Sequence, residues 1–185
     1  FSLVPQERVR LREALANSVN RPAVNLAMQV GLEKVMTTAA EFGLSTPMKP
    51  YPSLALGTFE VIPLELARAY CPFAADGMLP YPLSLKDVVD EEGQVLEGRH
   101  TSLRQVTSPQ RAYLMSSMLR SVVEKGTAAS LKKMGITRPV AGKTGTTDQY
   151  RDAWFVGYTP DILGLVWVGA DDGSPIGETG AAAAL

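Results

Sequence analysis

A chain of 185 residues with 45% hydrophobic residues is long enough for one domain with a substantial core. Its formal net charge is −1, and the opposite charges are interspersed without a basic block, which disfavours nucleic-acid binding. The single cysteine, Cys71, can form no internal disulfide, and its apolar surroundings predict a buried structural thiol. No apolar run reaches 18 residues, so no membrane-spanning helix is expected within this chain.

The first 43 residues contain three helical patterns. Apolar residues recur at helical spacing over residues 5–17, 22–31 and 32–43. Between the first two helices lies a polar corner, Asn17-Ser18-Val19-Asn20, which we call the Ser18 corner (residues 17–20). Ser18 or Asn20 could cap the helix that follows, because short polar side chains are favoured at helix N-termini.

The middle of the chain predicts loops, helices and one hairpin. In chain order these are an irregular loop over 45–57, a helix over 62–75, a hairpin over 82–97, a long helix over 108–125 and a short helix over 128–134. Pro72 lies inside the first of these helices, where it predicts a kink or an early end. Ser108 followed by Pro109 is typical of the start of a helix.

From Pro139 onward the apolar pattern changes to that of strands. Three apolar segments follow one another, separated by short polar turns, at residues 139–146, 152–158 and 162–169. Tight turns join antiparallel neighbours, so the three segments predict an antiparallel meander. Helices first and strands later indicate an α+β domain, in which helices pack on an antiparallel sheet.

The first predicted strand ends in the sequence Gly142-Lys143-Thr144-Gly145-Thr146. Alternation along a strand places Lys143 and Gly145 on one face and Thr144 and Thr146 on the other. Gly145 leaves room for a ligand beside the backbone, and an edge strand can pair with an extended peptide substrate. Lys-Thr-Gly is also one of three signatures of penicillin-recognising serine enzymes, the others being Ser-x-x-Lys and Ser-x-Asn.

A phosphate-binding loop is the competing interpretation of Gly142-Lys143-Thr144. That loop needs a glycine where Thr137 stands, and a helix directly after the lysine, where a strand is predicted here. We therefore exclude it.

Ser-x-Asn is matched by Ser18-Val19-Asn20, and Ser-x-x-Lys by Ser130-Leu131-Lys132-Lys133. A serine nucleophile needs a lysine that is desolvated enough to take up a proton, whereas Lys132 and Lys133 suit a solvated helix end. We therefore interpret the second match as accidental. His100 lies in a polar stretch and gives no support to a Ser-His-Asp triad, and no pair of His or Cys residues has the spacing of metal ligands.

Six stretches together resemble the C-terminal part of the transpeptidase domain of class A, bifunctional penicillin-binding proteins. They are LREALANSVNRPAV (11–24), LELARAY (64–70), VEKGTA (123–128), AGKTGTT (141–147), DAWFVGYTPD (152–161) and VWVG (166–169). The resemblance implies part of the fold that penicillin-binding proteins share with serine β-lactamases. It also implies a peptidoglycan D,D-transpeptidase that forms an acyl-enzyme, binds D-Ala-D-Ala stem peptides and β-lactams, and needs no cofactor.

The resemblance also implies a role for each matching side chain. Ser18 would relay a proton to the leaving amine, and Asn20 would hydrogen-bond the acyl side of the peptide. Lys143 would support that relay and attract the substrate's carboxylate. Thr144 and Thr146 would offer hydroxyl groups to the same carboxylate, and the backbone N–H of Thr146 would be one donor to the oxyanion.

The chain departs from the family pattern at its start. The family places Ser-x-x-Lys before Ser-x-Asn, but only 17 residues precede Ser18 and none of them forms that motif. We therefore expect residues 1–185 to be a C-terminal part of a transpeptidase domain, inactive alone, without the nucleophile or the glycosyltransferase domain. The parent would be anchored, through a segment absent here, on the extracytoplasmic face of the bacterial cytoplasmic membrane. Self-association of a piece with exposed apolar faces is compatible with this expectation.

Two alternatives stay open at this stage. One is a non-catalytic sensor of the same fold that binds muropeptides or β-lactams reversibly through Lys143, Thr144 and Thr146. The other is a D,D-carboxypeptidase or β-lactamase of the same superfamily, against which the segment 152–169 argues because it is similar to class A proteins.

Overall fold

The computed structural model describes residues 8–177, with the exception of the Asp148 side chain. The helices are α1 (Leu11–Ala16), α2 (Asn20–Val30), α3 (Leu32–Glu41), α4 (Pro63–Ala74), α5 (Pro109–Lys125) and α6 (Ser130–Lys133). The strands are β1 (Met78–Pro80), β2 (Asp87–Val89), β3 (Val95–Gly98), β4 (Leu103–Gln105), β5 (Ala141–Thr146), β6 (Asp152–Tyr158) and β7 (Leu163–Gly169). Residues 5–7 of the first predicted helix lie outside the described part.

The predicted α+β architecture is confirmed. Strands β5, β6 and β7 form an antiparallel sheet in that order, with β5 at one edge. Helix α5 packs on β5, and α4 contacts β6 and β7. Leu119 of α5 meets Ala141 and Tyr158 of the sheet in a buried cluster, and Leu15 of α1 packs against the same cluster. The core therefore sets the end of α1 against the strand that carries Lys143.

The proline inside α4 is accommodated with little disturbance. The helix continues for two residues beyond Pro72 and ends at Ala74, one residue before the predicted boundary. Pro72 is fully buried, and its carbonyl accepts a hydrogen bond from Gly77 N–H at 2.7 Å. Cys71 beside it is half-buried rather than fully buried, and burial raises the pKa of its thiol.

A short pair of strands was not predicted from the sequence. Strands β1 and β4 pair antiparallel, with Met78 opposite Gln105. Each has three residues, too few for an alternating pattern to stand out, and Arg104 in β4 reaches Glu41 O at 2.6 Å. The hairpin predicted over 82–97 is confirmed as β2 and β3, and its strand residues are all exposed.

Hydrogen bonds at both ends of α1 fix it against α5 and against the turn that follows α5. Arg12 donates hydrogen bonds to the Ser117 carbonyl, to Ser117 Oγ at 3.0 Å and to Ser121 Oγ at 3.1 Å. At the other end of α1, the Ala16 carbonyl accepts a hydrogen bond from Thr127 N–H at 3.0 Å. A Cβ added to Gly126 would lie 2.1 Å from Ala16 O, so only glycine allows this approach.

Two tryptophans lie side by side on the sheet, in register with Gly145. Gly145 pairs with Trp154 on β6, and Trp154 pairs with Trp167 on β7. The indole rings are 5.9 Å apart between centroids, and Trp167 Nε1–H donates to Asp152 Oδ1 at 2.7 Å.

We expect Gly126→Ala to lower the free energy of unfolding by about 2–3 kcal/mol, because the methyl group would collide with the Ala16 carbonyl. Gly164→Ala is the matched control, since a Cβ at Gly164 would meet nothing within 4 Å. Chemical denaturation of the two variants makes the comparison. Equal stabilities would show that α1 can move away from α5 without cost.

Candidate active site

The Ser18 corner is a helix C-terminal motif with serine in an unusual place. Ser18 N–H donates to Leu15 O at 3.2 Å, and Val19 N–H donates to Ala14 O at 2.9 Å. These are the two hydrogen bonds of a Schellman motif, whose left-handed position is usually glycine. Here Ser18 occupies it, with φ at +53°. A non-glycine residue in that conformation is strained, so the fold holds the Ser18 hydroxyl in place at a cost.

The capping role considered for Ser18 and Asn20 is wrong. Helix α2 begins at Asn20, its N-cap is Val19, and no side chain caps it. The reason is the hydrogen-bonded end of α1, which uses Ser18 as its own terminating residue. Asn20 is exposed in the first turn of α2.

Lys143 connects the sheet to the Ser18 corner across 125 positions of sequence. Its Nζ donates to Ser18 Oγ at 2.9 Å and to Thr144 O at 2.8 Å. The side chain is largely withdrawn from water, and this burial lowers the pKa of Lys143 to about 8. A lysine with such a pKa can both hold and release a proton near neutral pH.

The threonines of β5 lie along the other side of the strand. Thr144 Oγ1 is 2.6 Å from Thr127 Oγ1, at the C-terminal end of α5. Lys143 and Thr144 thus contact different partners, as strand alternation predicts. Thr146 is exposed at the end of the strand, opposite Ala153.

The backbone of β5 is open along its outer side. Thr147 N–H donates to Asp152 O on the β6 side, at 3.1 Å. Polar groups alternate in direction along an antiparallel strand, so the N–H and C=O groups of Thr144 and Thr146 point away from β6. The Thr144 carbonyl accepts from Lys143 Nζ there, and within residues 8–177 no strand pairs with this edge of the sheet.

The other sequence matches do not join this arrangement. Ser130, Lys132 and Lys133 are exposed on α6, and Lys132 Nζ reaches Glu124 O at 3.4 Å. His100 is exposed on the far side of the β2–β3 hairpin from its turn. Strand β5 continues past Lys143 to Thr146, which is incompatible with a phosphate-binding loop.

Neither a metal-binding cluster nor the main groove in the described part of the chain involves Ser18. Within residues 8–177, no cluster of three or more His, Cys, Asp or Glu side chains is placed to hold a metal ion. A groove of about 420 Å³ lies between α5, α6 and the segment that leads into β5. Its lining includes Arg120 and Arg138 but neither Ser18 nor Lys143.

Sequence reasoning gave no role to Thr127, although it lies in one of the stretches that carry the family resemblance. Its hydroxyl contacts Thr144 and its N–H holds Ala16, so it touches both sides of the candidate site. The available signal was the Gly126-Thr127 pair directly after a long helix. That signal marks a close approach of backbones, but it does not identify the partner.

We expect Ser18→Gly to be more stable than Ser18→Ala by about 1 kcal/mol, because glycine relieves the left-handed strain and alanine keeps it. Both variants lose the hydroxyl, so their difference isolates the backbone term. Thermal or chemical unfolding measures it. Equal stabilities would contradict the strained geometry.

The lowered pKa of Lys143 makes stability depend on pH. The ordinary lysine value is 10.5 and the folded value is about 8, so between them the unfolded chain binds more protons. Stability therefore rises with pH across this interval and is lost again as the pH falls through about 8. We expect the native chain to gain stability relative to Lys143→Met between about pH 8 and pH 10.5. A difference that stays constant would contradict the burial of the ammonium group.

Comparison with known proteins places this arrangement in a family. The model of the "Penicillin binding protein transpeptidase domain" family matches residues 3–174. Penicillin-binding protein 1A of Aquifex aeolicus is 46% identical over 170 residues, which are 92% of this chain and 23% of that protein. The chain therefore spans about a quarter of that relative's length.

Solved structures agree with the sequence match. Penicillin-binding protein 1A from Haemophilus influenzae superposes with a TM-score of 0.87 at 25% identity, covering 94% of this chain and 32% of that one. PonA1 from Mycobacterium tuberculosis, solved in complex with penicillin V, gives 0.75 at 26% identity, covering 93% and 51%. The resemblance found in the sequence is confirmed: the chain belongs to the penicillin-binding protein transpeptidase domain family.

Proposed function

We propose that this chain supplies the proton relay and the carboxylate-binding wall of a peptidoglycan D,D-transpeptidase that works through an acyl-enzyme. The contact between Lys143 Nζ and Ser18 Oγ carries the proposal, because it joins the two matching motifs at 2.9 Å. Residues 1–185 form a C-terminal part of the transpeptidase domain. The parent protein adds the Ser-x-x-Lys nucleophile and a glycosyltransferase domain. It also adds a membrane anchor that holds the protein on the extracytoplasmic face of the cytoplasmic membrane.

The relay moves a proton to the leaving group. The nucleophilic serine forms a bond to the carbonyl carbon of the penultimate D-alanine, and its own proton passes to its neighbouring lysine. The C–N bond to the terminal D-alanine then breaks, and the leaving amine takes the proton of the Ser18 hydroxyl. Lys143 returns a proton to Ser18 across their hydrogen bond, which a pKa of about 8 allows near neutral pH. Asn20, two residues after Ser18 at the start of α2, holds the acyl side of the peptide.

Carboxylate recognition uses side chains from both sides of β5. The hydroxyl groups of Thr144 and Thr146, with the ammonium group of Lys143, bind the terminal carboxylate of D-Ala-D-Ala or that of a β-lactam. Hydrogen bonds to a charged partner are the stronger ones, which suits a group present in both ligands. Thr146 N–H, directed to the free edge, is one donor to the oxyanion, a type of contact whose loss costs about 10²–10³ in rate.

The two glycines of β5 differ in what they require. A Cβ on Gly142 would lie 2.6 Å from Val156 O, so packing alone explains that glycine. A Cβ on Gly145 would meet Trp154 Cβ at 3.4 Å, which is an ordinary contact. Packing therefore does not account for Gly145, and close approach of a bound peptide does.

A purely binding sensor is the weaker candidate. Recognition of an anion needs only a charged lysine, whereas Lys143 also shares a hydrogen bond with the Ser18 hydroxyl and has its pKa lowered to about 8. That combination favours proton transfer. No helix within residues 8–177 has the length and apolarity to cross a membrane.

Labelling with a fluorescent penicillin tests the proposal. We expect the parent protein to form a covalent adduct at the serine of an upstream Ser-x-x-Lys, and the 185-residue chain to form none. Peptide mass spectrometry locates the modified residue. An adduct on the chain itself, at Ser18 or Ser130, would overturn the division of roles.

Two variants of the parent refine the same test. Ser18→Ala should lower the acylation rate about 10²-fold, because the departing nitrogen of the β-lactam ring loses its proton donor. Ser130→Ala is the matched control, since Ser130 is exposed and outside the site, and it should leave the rate unchanged.

A further inference from the structure

Thr127 occupies a position between the two sides of the site that the proposed mechanism does not use. Its N–H donates to Ala16 O at 3.0 Å, two residues before Ser18. Its Oγ1 lies 2.6 Å from Thr144 Oγ1 on β5. One residue thus holds the backbone of the Ser18 corner and a side chain of the carboxylate wall.

The hydroxyl pair restricts what Thr144 can do with its proton. A threonine hydroxyl has a single proton to donate and can accept in two directions. When Thr144 accepts from Thr127, its own proton is free to point at a third group. A β-branched side chain also has few χ1 positions, so the 2.6 Å contact fixes the direction of the Thr144 Oγ1 atom.

The contact contributes little to folding. Thr127 is exposed and Thr144 is partly exposed, so water could replace much of this hydroxyl–hydroxyl bond in its absence. A hydroxyl–hydroxyl contact that adds little stability, yet lies beside the candidate site, is better explained by the direction in which it points the Thr144 hydroxyl towards a ligand. An anion at Thr144 would strengthen the chain of hydroxyl groups, because hydrogen bonds in series polarise one another.

We infer that Thr127 is a positioning residue for carboxylate recognition. Its hydroxyl donates to Thr144 Oγ1, so that the Thr144 hydroxyl donates to the carboxylate of the stem peptide or the β-lactam. Thr127 does not touch the substrate. The inference rests on the proposed role of Thr144, and it adds a residue from the turn after α5 to a recognition site otherwise formed by β5.

The test uses the full-length parent protein and two forms of one ligand. Benzylpenicillin carries a free carboxylate, and its methyl ester does not. Thr127→Val keeps the shape and the backbone N–H but removes the hydroxyl, and Thr127→Ser restores the hydroxyl. We expect Thr127→Val to lower the second-order acylation rate about tenfold for benzylpenicillin and to leave it unchanged for the ester. Thr127→Ser should recover most of the rate.

The ratio of the two rates within one variant keeps the test independent of folding. Partial unfolding lowers both rates together, so it cancels in the ratio. Thr37→Val is the matched control, because the Thr37 hydroxyl bonds to Glu33 O on exposed α3, and its ratio should equal that of the unsubstituted protein.

Two results would overturn the inference. One is an unchanged ratio in Thr127→Val, whether both rates fall or neither does, since that is the behaviour of a structural residue. The other is a fall of this ratio in Thr127→Ser that is as large as the fall in Thr127→Val, since the hydroxyl group would then have no effect. Absence of any acylation in the unsubstituted parent would instead refute the proposed function, and this inference with it.

Discussion

The hydrogen bond from Thr127 N–H to the Ala16 carbonyl is the contact on which the site depends. Ala16 is fully buried at the last turn of α1, where helix carbonyls lack partners within the helix. Leaving such a group unpaired would cost about 1–3 kcal/mol. The N–H of Thr127, two residues beyond the end of α5, pairs with this carbonyl and so fixes the Ser18 corner. Gly126 is required for the same reason, because its missing side chain lets the two backbones meet.

Long elements with a regular apolar pattern could be predicted from the sequence, and so could the proximity of the Ser-x-Asn and Lys-Thr-Gly motifs. Helix α5 and strands β5 to β7 repeat their apolar spacing over enough residues to be recognised, and the family resemblance already paired Lys143 with Ser18. The three-residue strands β1 and β4 were not predicted, because their pairing comes from the chain around them rather than from their own residues. The role of Thr127 was not predicted for a related reason, because its partners Ala16 and Thr144 are distant from it in sequence.

The Ser18 corner shows why local rules failed at a functional position. Polar residues before a helix usually cap it, and that rule favoured Ser18 or Asn20 as a cap. The end of α1 instead took Ser18 into a left-handed conformation that serine does not prefer. Local preference and structure disagree at the residue whose hydroxyl meets Lys143, which is where natural sequences tend to accept such disagreement.

The two tryptophans give the protein an optical property of its own. The chain contains only these two, and they stand beside each other on β6 and β7 in register with Gly145. Trp167 remains 43% exposed. Tryptophan fluorescence, excited selectively over that of the six tyrosines, therefore arises from one place on the sheet rather than from an average over the molecule. A change in the surroundings of β5 can therefore be followed by the emission of Trp154 on the adjacent strand and of Trp167 on the strand beyond it, without an attached label.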